Sequence, residues 1–137
     1  MDLYLELVPV PVTDVDRAKA FYVDKVGFNE DHDTRVSDER RFAQLTPPGS
    51  ACSIAVGTGM WDLPPGSLEG LQLVVSDIRA ARDRLAERGV EIGEVQVFDS
   101  GSFRPGREGD ALDNVGFAFF SDPDGNGWAL QQISARG

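Results

Sequence analysis

The feature that most constrains this chain is that part of it is written twice. Val12-Thr13-Asp14-Val15-Asp16-Arg17-Ala18 is echoed by Val75-Ser76-Asp77-Ile78-Arg79-Ala80-Ala81, at a constant offset of 63. Internal similarity of this kind fixes architecture before any single motif does. In each copy an apolar stretch runs into Thr or Ser followed by Asp, whose side-chain oxygens can cap a starting helix. Helical periodicity follows, with Val15, Ala18, Phe21 and Tyr22 on one face and Ile78, Ala81 and Leu85 on the other copy's face. Gly27 and Gly89 then supply the left-handed residue that commonly ends a helix.

Two turn sequences, Thr46-Pro47-Pro48-Gly49-Ser50 and Asp122-Pro123-Asp124-Gly125-Asn126, each join two strand-like runs as a hairpin does, now at an offset of 76. The drift from 63 to 76 places about a dozen extra residues in the second copy, in the Gly- and charge-rich stretch Ser100 to Asp113, expected to be a functional lid or a mobile segment. Each copy therefore reads β-α-β-β-β. Module one spans residues 3–57, residues 58–67 link, and module two spans residues 68–133. Neither half buries its sheet alone, so the expectation is one α+β domain, with sheets curving round a cavity and helices outside.

Composition narrows the function. The 13 Lys+Arg against 23 Asp+Glu give a net charge of −10, which repels phosphate backbones and anionic membrane surfaces, so nucleic acid and membrane are not expected partners. No apolar run approaches the about 20 residues needed to cross a bilayer. The N-terminal residues lack a secretion-signal layout and Cys52 is the lone cysteine, so a cytoplasmic protein without an internal disulfide is expected. Cys52 has no second thiol and no neighbouring His, and reads as a small apolar side chain.

Val10-Pro11-Val12-Thr13-Asp14-Val15-Asp16-Arg17-Ala18-Lys19-Ala20-Phe21-Tyr22 and Phe120-Ser121-Asp122-Pro123-Asp124-Gly125-Asn126-Gly127-Trp128 resemble the two module signatures of the vicinal-oxygen-chelate superfamily, the glyoxalase, bleomycin-resistance and extradiol-dioxygenase group. The resemblance implies paired βαβββ modules, a cupped, barrel-like mixed sheet and, in the family's enzymes, a divalent metal held by His, Gln or Glu. The four ligand positions it implies are Leu7, Ser53, Gly70 and Ala129. Leucine, glycine and alanine have no donor atom, and a serine hydroxyl is a feeble one, whereas a stable transition-metal site needs several N, O or S donors. No metal and no other cofactor is therefore expected.

His32, in Glu30-Asp31-His32-Asp33, is the sole histidine, and consecutive strand residues point to opposite faces, so it reads as a solvated strand end. Asp122-Pro123-Asp124-Gly125-Asn126 is too short for a twelve-residue calcium loop and reads as a tight turn. No Ser-His-Asp or Cys-His arrangement can be built around one imidazole.

Strand alternation puts Ala129 and Gln131 on one inward face and carries Gln72 inward with Gly70. The resemblance turns Phe117 and Phe119 inward and makes Arg41 and Ala43 their counterparts in module one. Trp61 in the linker and Phe103 in the insertion read equally well as lids or as loop anchors. The expected ligand-binding set is thus Arg41, Ser53, Trp61, Gln72, Phe103, Phe117, Phe119 and Gln131. Such a set suits a flat, partly apolar small organic molecule carrying an acceptor or a negative charge. The leading expectation is a metal-independent binding protein that sequesters a drug or metabolite. The alternative is a lyase, isomerase or dioxygenase of the same superfamily, and the resemblance further implies a homodimer.

Overall fold

The computed structural model describes residues 1–136, and the chain falls into two compact units. Unit 1 is Met1–Leu68 together with Asp122–Asn126, and unit 2 is Glu69–Ser121 together with the chain from Gly127 onward. The described strands form two separate sheets, one per repeat, and give an α+β fold.

In unit 1 the sheet order is β1-β4-β3-β2, from β1 (Leu7–Pro11), β2 (Asn29–Arg35), β3 (Arg41–Thr46) and β4 (Ser53–Thr58). β1 runs parallel to β4, and the other pairings are antiparallel. Asp14 caps helix α1 (Val15–Lys19), its carboxylate accepting from Arg17 N–H. The helix then widens into a π-helical segment, Ala20–Val26, closed by Gly27 at φ +102°. Widening brings Phe21 and Tyr22, consecutive residues, into the core together, where Tyr22 packs edge-on to Phe21 and against Phe28. Val10, Ala43, Leu45 and Val56 complete this core beneath the helix.

The turn residues Asp122 and Asn126 are buried in unit 1. The Tyr22 hydroxyl donates to Asp122 Oδ2 at 2.8 Å, and Asp122 Oδ1 accepts from Asp124 and Asn126 N–H. Asn126 donates to the Pro11 carbonyl and accepts from Leu68 N–H. The turn that reads as a simple reversal in sequence is thus a fully bonded buried polar knot.

In unit 2 the order is β5-β9-β8-β6-β7, from β5 (Leu71–Val75), β6 (Gln96–Asp99), β7 (Ser102–Pro105), β8 (Gly116–Ser121) and β9 (Gly127–Gln132). β5 lies parallel to β9. Helix α2 (Ile78–Glu87), capped by Asp77, packs on β8 and β9, burying Ile78 and Leu85 over Ala118, Phe120, Trp128 and Leu130. Phe120 and Trp128 stack with centroids 6.1 Å apart.

The first part of the insertion, expected as a lid or mobile loop, is a hairpin turn and a fifth strand, and residues 106–113 follow as a loop. Ser100 and Gly101 form its two-residue turn at φ +54° and +87°. Two left-handed residues give the turn a twist that matches its strands, and Gly accepts such a φ without strain.

Candidate functional site

Register sorts the side chains of each sheet onto two faces. In unit 2, Phe117 lies opposite Gln131 and Gln96, Phe119 opposite Ala129, Gln72 opposite Ala129, and Phe98 opposite Phe103. All of these therefore share the face opposite α2.

Four phenyl rings meet there. Phe117 and Phe119 are parallel within 5°, with centroids 6.2 Å apart. Phe103 stands edge-on to both, at 5.4 and 5.2 Å and interplanar angles of 82° and 87°. Phe98 adjoins Phe103 at 5.1 Å. Phe98, Phe103 and Phe119 remain 44%, 45% and 38% exposed. Contiguous exposed aromatic surface on a soluble fold marks an interaction site more often than chance. The face is bordered by amides, and Gln131 Nε2 donates to the Asn114 carbonyl at 2.9 Å while Gln72 is exposed on β5. The structure thus brings together Gln72, Phe103, Phe117, Phe119 and Gln131, and adds Phe98 and Gln96, which sequence reasoning passed over. Val97-Phe98-Asp99, the Ser100-Gly101 turn and Ser102-Phe103-Arg104 carried the missed signal, an alternating hairpin pattern with a two-residue turn.

Arg41 is not on the corresponding face of unit 1. In the first hairpin Gln44 lies opposite Ala55, whereas in the second Phe119 lies opposite Ala129. Between the copies the strand is displaced by an odd number of residues, which turns every side chain over. Phe42 and Gln44 consequently share a face with Ser53, while Arg41 and buried Ala43 lie on the helix side. There Arg41 donates to Asp33 at 2.9 and 2.7 Å and to Asp16 at 2.9 Å, and Lys19 pairs with Asp33 and Glu30. The Arg41 guanidinium bonds, with the Lys19 ammonium beside them, hold the Asp33 carboxyl well below the usual carboxylate range. The guanidinium thus clamps strand β3 to helix α1 through Asp16 and to β2 through Asp33.

Ser53 is buried in a polar chain, its hydroxyl accepting from Gln44 Nε2 at 3.2 Å and sharing a 2.6 Å hydrogen bond with Thr46, which in turn donates to Asp31. Trp61 is seated over Gly57 at the end of β4, where an added Cβ would lie 2.6 Å from the indole ring. His32 lies on β2, a strand exposed along its whole length.

The ligand positions implied by the resemblance do not fit a metal. Leu7 pairs directly with Ser53 across β1 and β4, and Gly70 and Ala129 occupy the other two. One hydroxyl, already hydrogen-bonded, is the whole donor set. Among the described residues no group of three or more His, Cys, Asp or Glu side chains is placed to hold an ion. No helix among them is long and apolar enough to cross a membrane.

A depression of about 390 Å³ lies elsewhere in unit 2, lined by Arg79, Arg82, Asp83, Glu94, Val95, Pro105 and Gly106. Its arginines already donate to the carbonyls of Ile92, Gly93 and Arg107, and its apolar lining is Val95 and Pro105, with no aromatic ring among its lining residues.

Duplicated units, each with a parallel outer strand pair and a helix capped by Asp, define a two-module class of α+β fold. Residues 4–130 match the family model described as Glyoxalase/Bleomycin resistance protein/Dioxygenase superfamily, and the chain belongs to that superfamily. Among solved structures it is similar to TnmS3, an antibiotic binding protein from Streptomyces sp. CB03234, at 34% identity over 97% of this chain and 98% of that one, with a TM-score of 0.74. It is also similar to a glyoxalase/bleomycin resistance protein from Streptomyces sp. CB03234, at 35% identity over 94% and 100%, with a TM-score of 0.70. A superfamily member from Sphaerobacter thermophilus DSM 20745 follows at 28% identity over 96% and 98%, with a TM-score of 0.73. Among functionally curated proteins, none matches.

Proposed function

We propose that this protein binds a flat, largely apolar organic molecule on the aromatic face of unit 2 and acts by sequestration, without a metal or other cofactor. The observation that carries the proposal is the ring cluster of exposed Phe98, Phe103 and Phe119 with half-buried Phe117. Stacking on such rings contributes about 0.5–1.5 kcal/mol per pair beyond area burial. Similarity to TnmS3, itself an antibiotic binding protein, supports the same direction.

Withdrawal of Arg41 into the helix clamp sharpens the ligand class. The face carries amides and rings but no cation, in a chain of net charge −10, so it favours an uncharged molecule with carbonyl or hydroxyl groups over an anion. The proposal takes the protein as a cytoplasmic homodimer.

Fluorescence titration with acridone, an uncharged tricyclic, against 9-anthracenecarboxylate, a tricyclic anion, tests this. Tighter binding of acridone, a rise in melting temperature with its concentration, and no effect of exhaustive chelation are expected. Binding lost on chelation and restored by a divalent cation overturns metal independence. Sedimentation velocity checks the dimer.

A further inference from the structure

The strand that carries Phe103 is poorly supported by the sheet itself. β7 is the sheet edge and pairs only with β6, and β6 pairs with β8 only through Gln96 and Val97. Beyond those residues the hairpin is held to the sheet by Phe98 N–H donating to the Val115 carbonyl, and a two-stranded ribbon alone is only marginally stable in water. Yet Phe103 keeps a defined edge-on position against two rings.

Arg104, the next residue, points to the opposite face and supplies the missing restraint. Its guanidinium forms a forked pair with Asp110, Nη1 and Nη2 each donating at 3.0 Å, and Nε donates to Asp99 at 3.2 Å. Asp110 also accepts from Arg107 N–H, so the loop after β7 closes onto the same carboxylate. Two further contacts pin this end of the strand. Gly106 N–H donates to the Val95 carbonyl at 2.9 Å, so closely that an added Cβ would lie 2.9 Å from that oxygen, and Arg79 of α2 donates to the Arg107 carbonyl. Forked Arg–carboxylate pairs fix geometry as well as charge.

We propose that Arg104 is a positioning residue for ligand recognition: by fastening β7 through Asp99 and Asp110, it fixes Phe103 edge-on to Phe117 and Phe119 and so sets the affinity for planar aromatic molecules. The inference rests on the aromatic-face reading above. It makes the ion-paired insertion, present only in the second repeat, the selectivity element of the site.

The test is a double-mutant cycle read by acridone affinity. Arg104→Met and Phe103→Ala are each expected to weaken binding about tenfold, and the double variant no more than Phe103→Ala alone, because Arg104 acts through that ring. Arg104→Lys, which keeps the charge but loses the fork, should fall between wild type and Arg104→Met. Amide exchange in Arg104→Met should accelerate at residues 102–105 and not in β8 or β9. Strictly additive losses, or an Arg104→Met protein with wild-type affinity, overturn the proposal. If Arg104→Met does not fold, Arg104→Lys in the same cycle decides it. Acridone that fails to bind wild type, or binds Phe117→Ala/Phe119→Ala unchanged, overturns the aromatic-face reading and this inference with it.

Discussion

On the face opposite its helix, unit 1 presents Phe42, Gln44 and Ser53, with Ser53 bonded into a hydroxyl and amide chain and Trp61 seated over Gly57. The same face of unit 2 presents three phenyl rings around that of Phe103. The scaffolds are repeats, each with a parallel outer pair and a helix capped by Asp. What separates them is one added strand and one odd step of register. The added strand β7 brings Phe103, and the register step exchanges Arg41 for Phe42 and Gln44. The two copies therefore differ less in their cores than in which parity of a strand lies on the face opposite the helix.

That contrast can be broken most decisively in unit 2. Phe117→Ala/Phe119→Ala should cost about 3 kcal/mol of acridone binding, about a hundredfold in Kd by titration, while Gln44→Ala in unit 1 leaves binding near wild type. A comparable loss from Gln44→Ala would erase the distinction between the faces.

Next in size is Gly57→Ala, which sets a methyl against the Trp61 ring and should destabilise the fold by about 1–3 kcal/mol in urea, with a shift in tryptophan emission. Tyr22→Phe removes a buried donor from Asp122, which keeps its bonds from Asn126, and should cost about 1 kcal/mol by the same measurement.

A smaller effect separates the units by pH. The Arg104 guanidinium, with Arg107 N–H, lowers the Asp110 carboxyl from 3.8 to about 2. A depressed carboxylate contributes stability above its unfolded pKa and loses it as pH falls through the folded value. Acridone affinity, which reads the folded protein, should be flat from about pH 4 to 8 and decline only as pH falls toward the folded value of about 2, read by titration in matched buffers. Ser53→Ala should be smallest of all, moving Kd by less than about twofold, since its hydroxyl is committed to Gln44 and Thr46.

The repeat, both helix caps and the closing glycines were legible because local chemistry acts over a few residues. So was the common face of Gln72, Phe117, Phe119 and Gln131. The face of Arg41 was not, because an offset measured at the turns does not carry across a hairpin whose connection differs by an odd count. The sequence by itself also determined that, of Leu7, Ser53, Gly70 and Ala129, only Ser53 carries a side-chain donor atom, since side-chain chemistry needs no coordinates. Only tertiary structure decided that Ser102–Pro105 forms a fifth strand, that Phe103 closes a ring cluster, and that Arg104 reaches Asp110. Those outcomes depend on register and on charge pairs between residues whose distance in space no local pattern encodes.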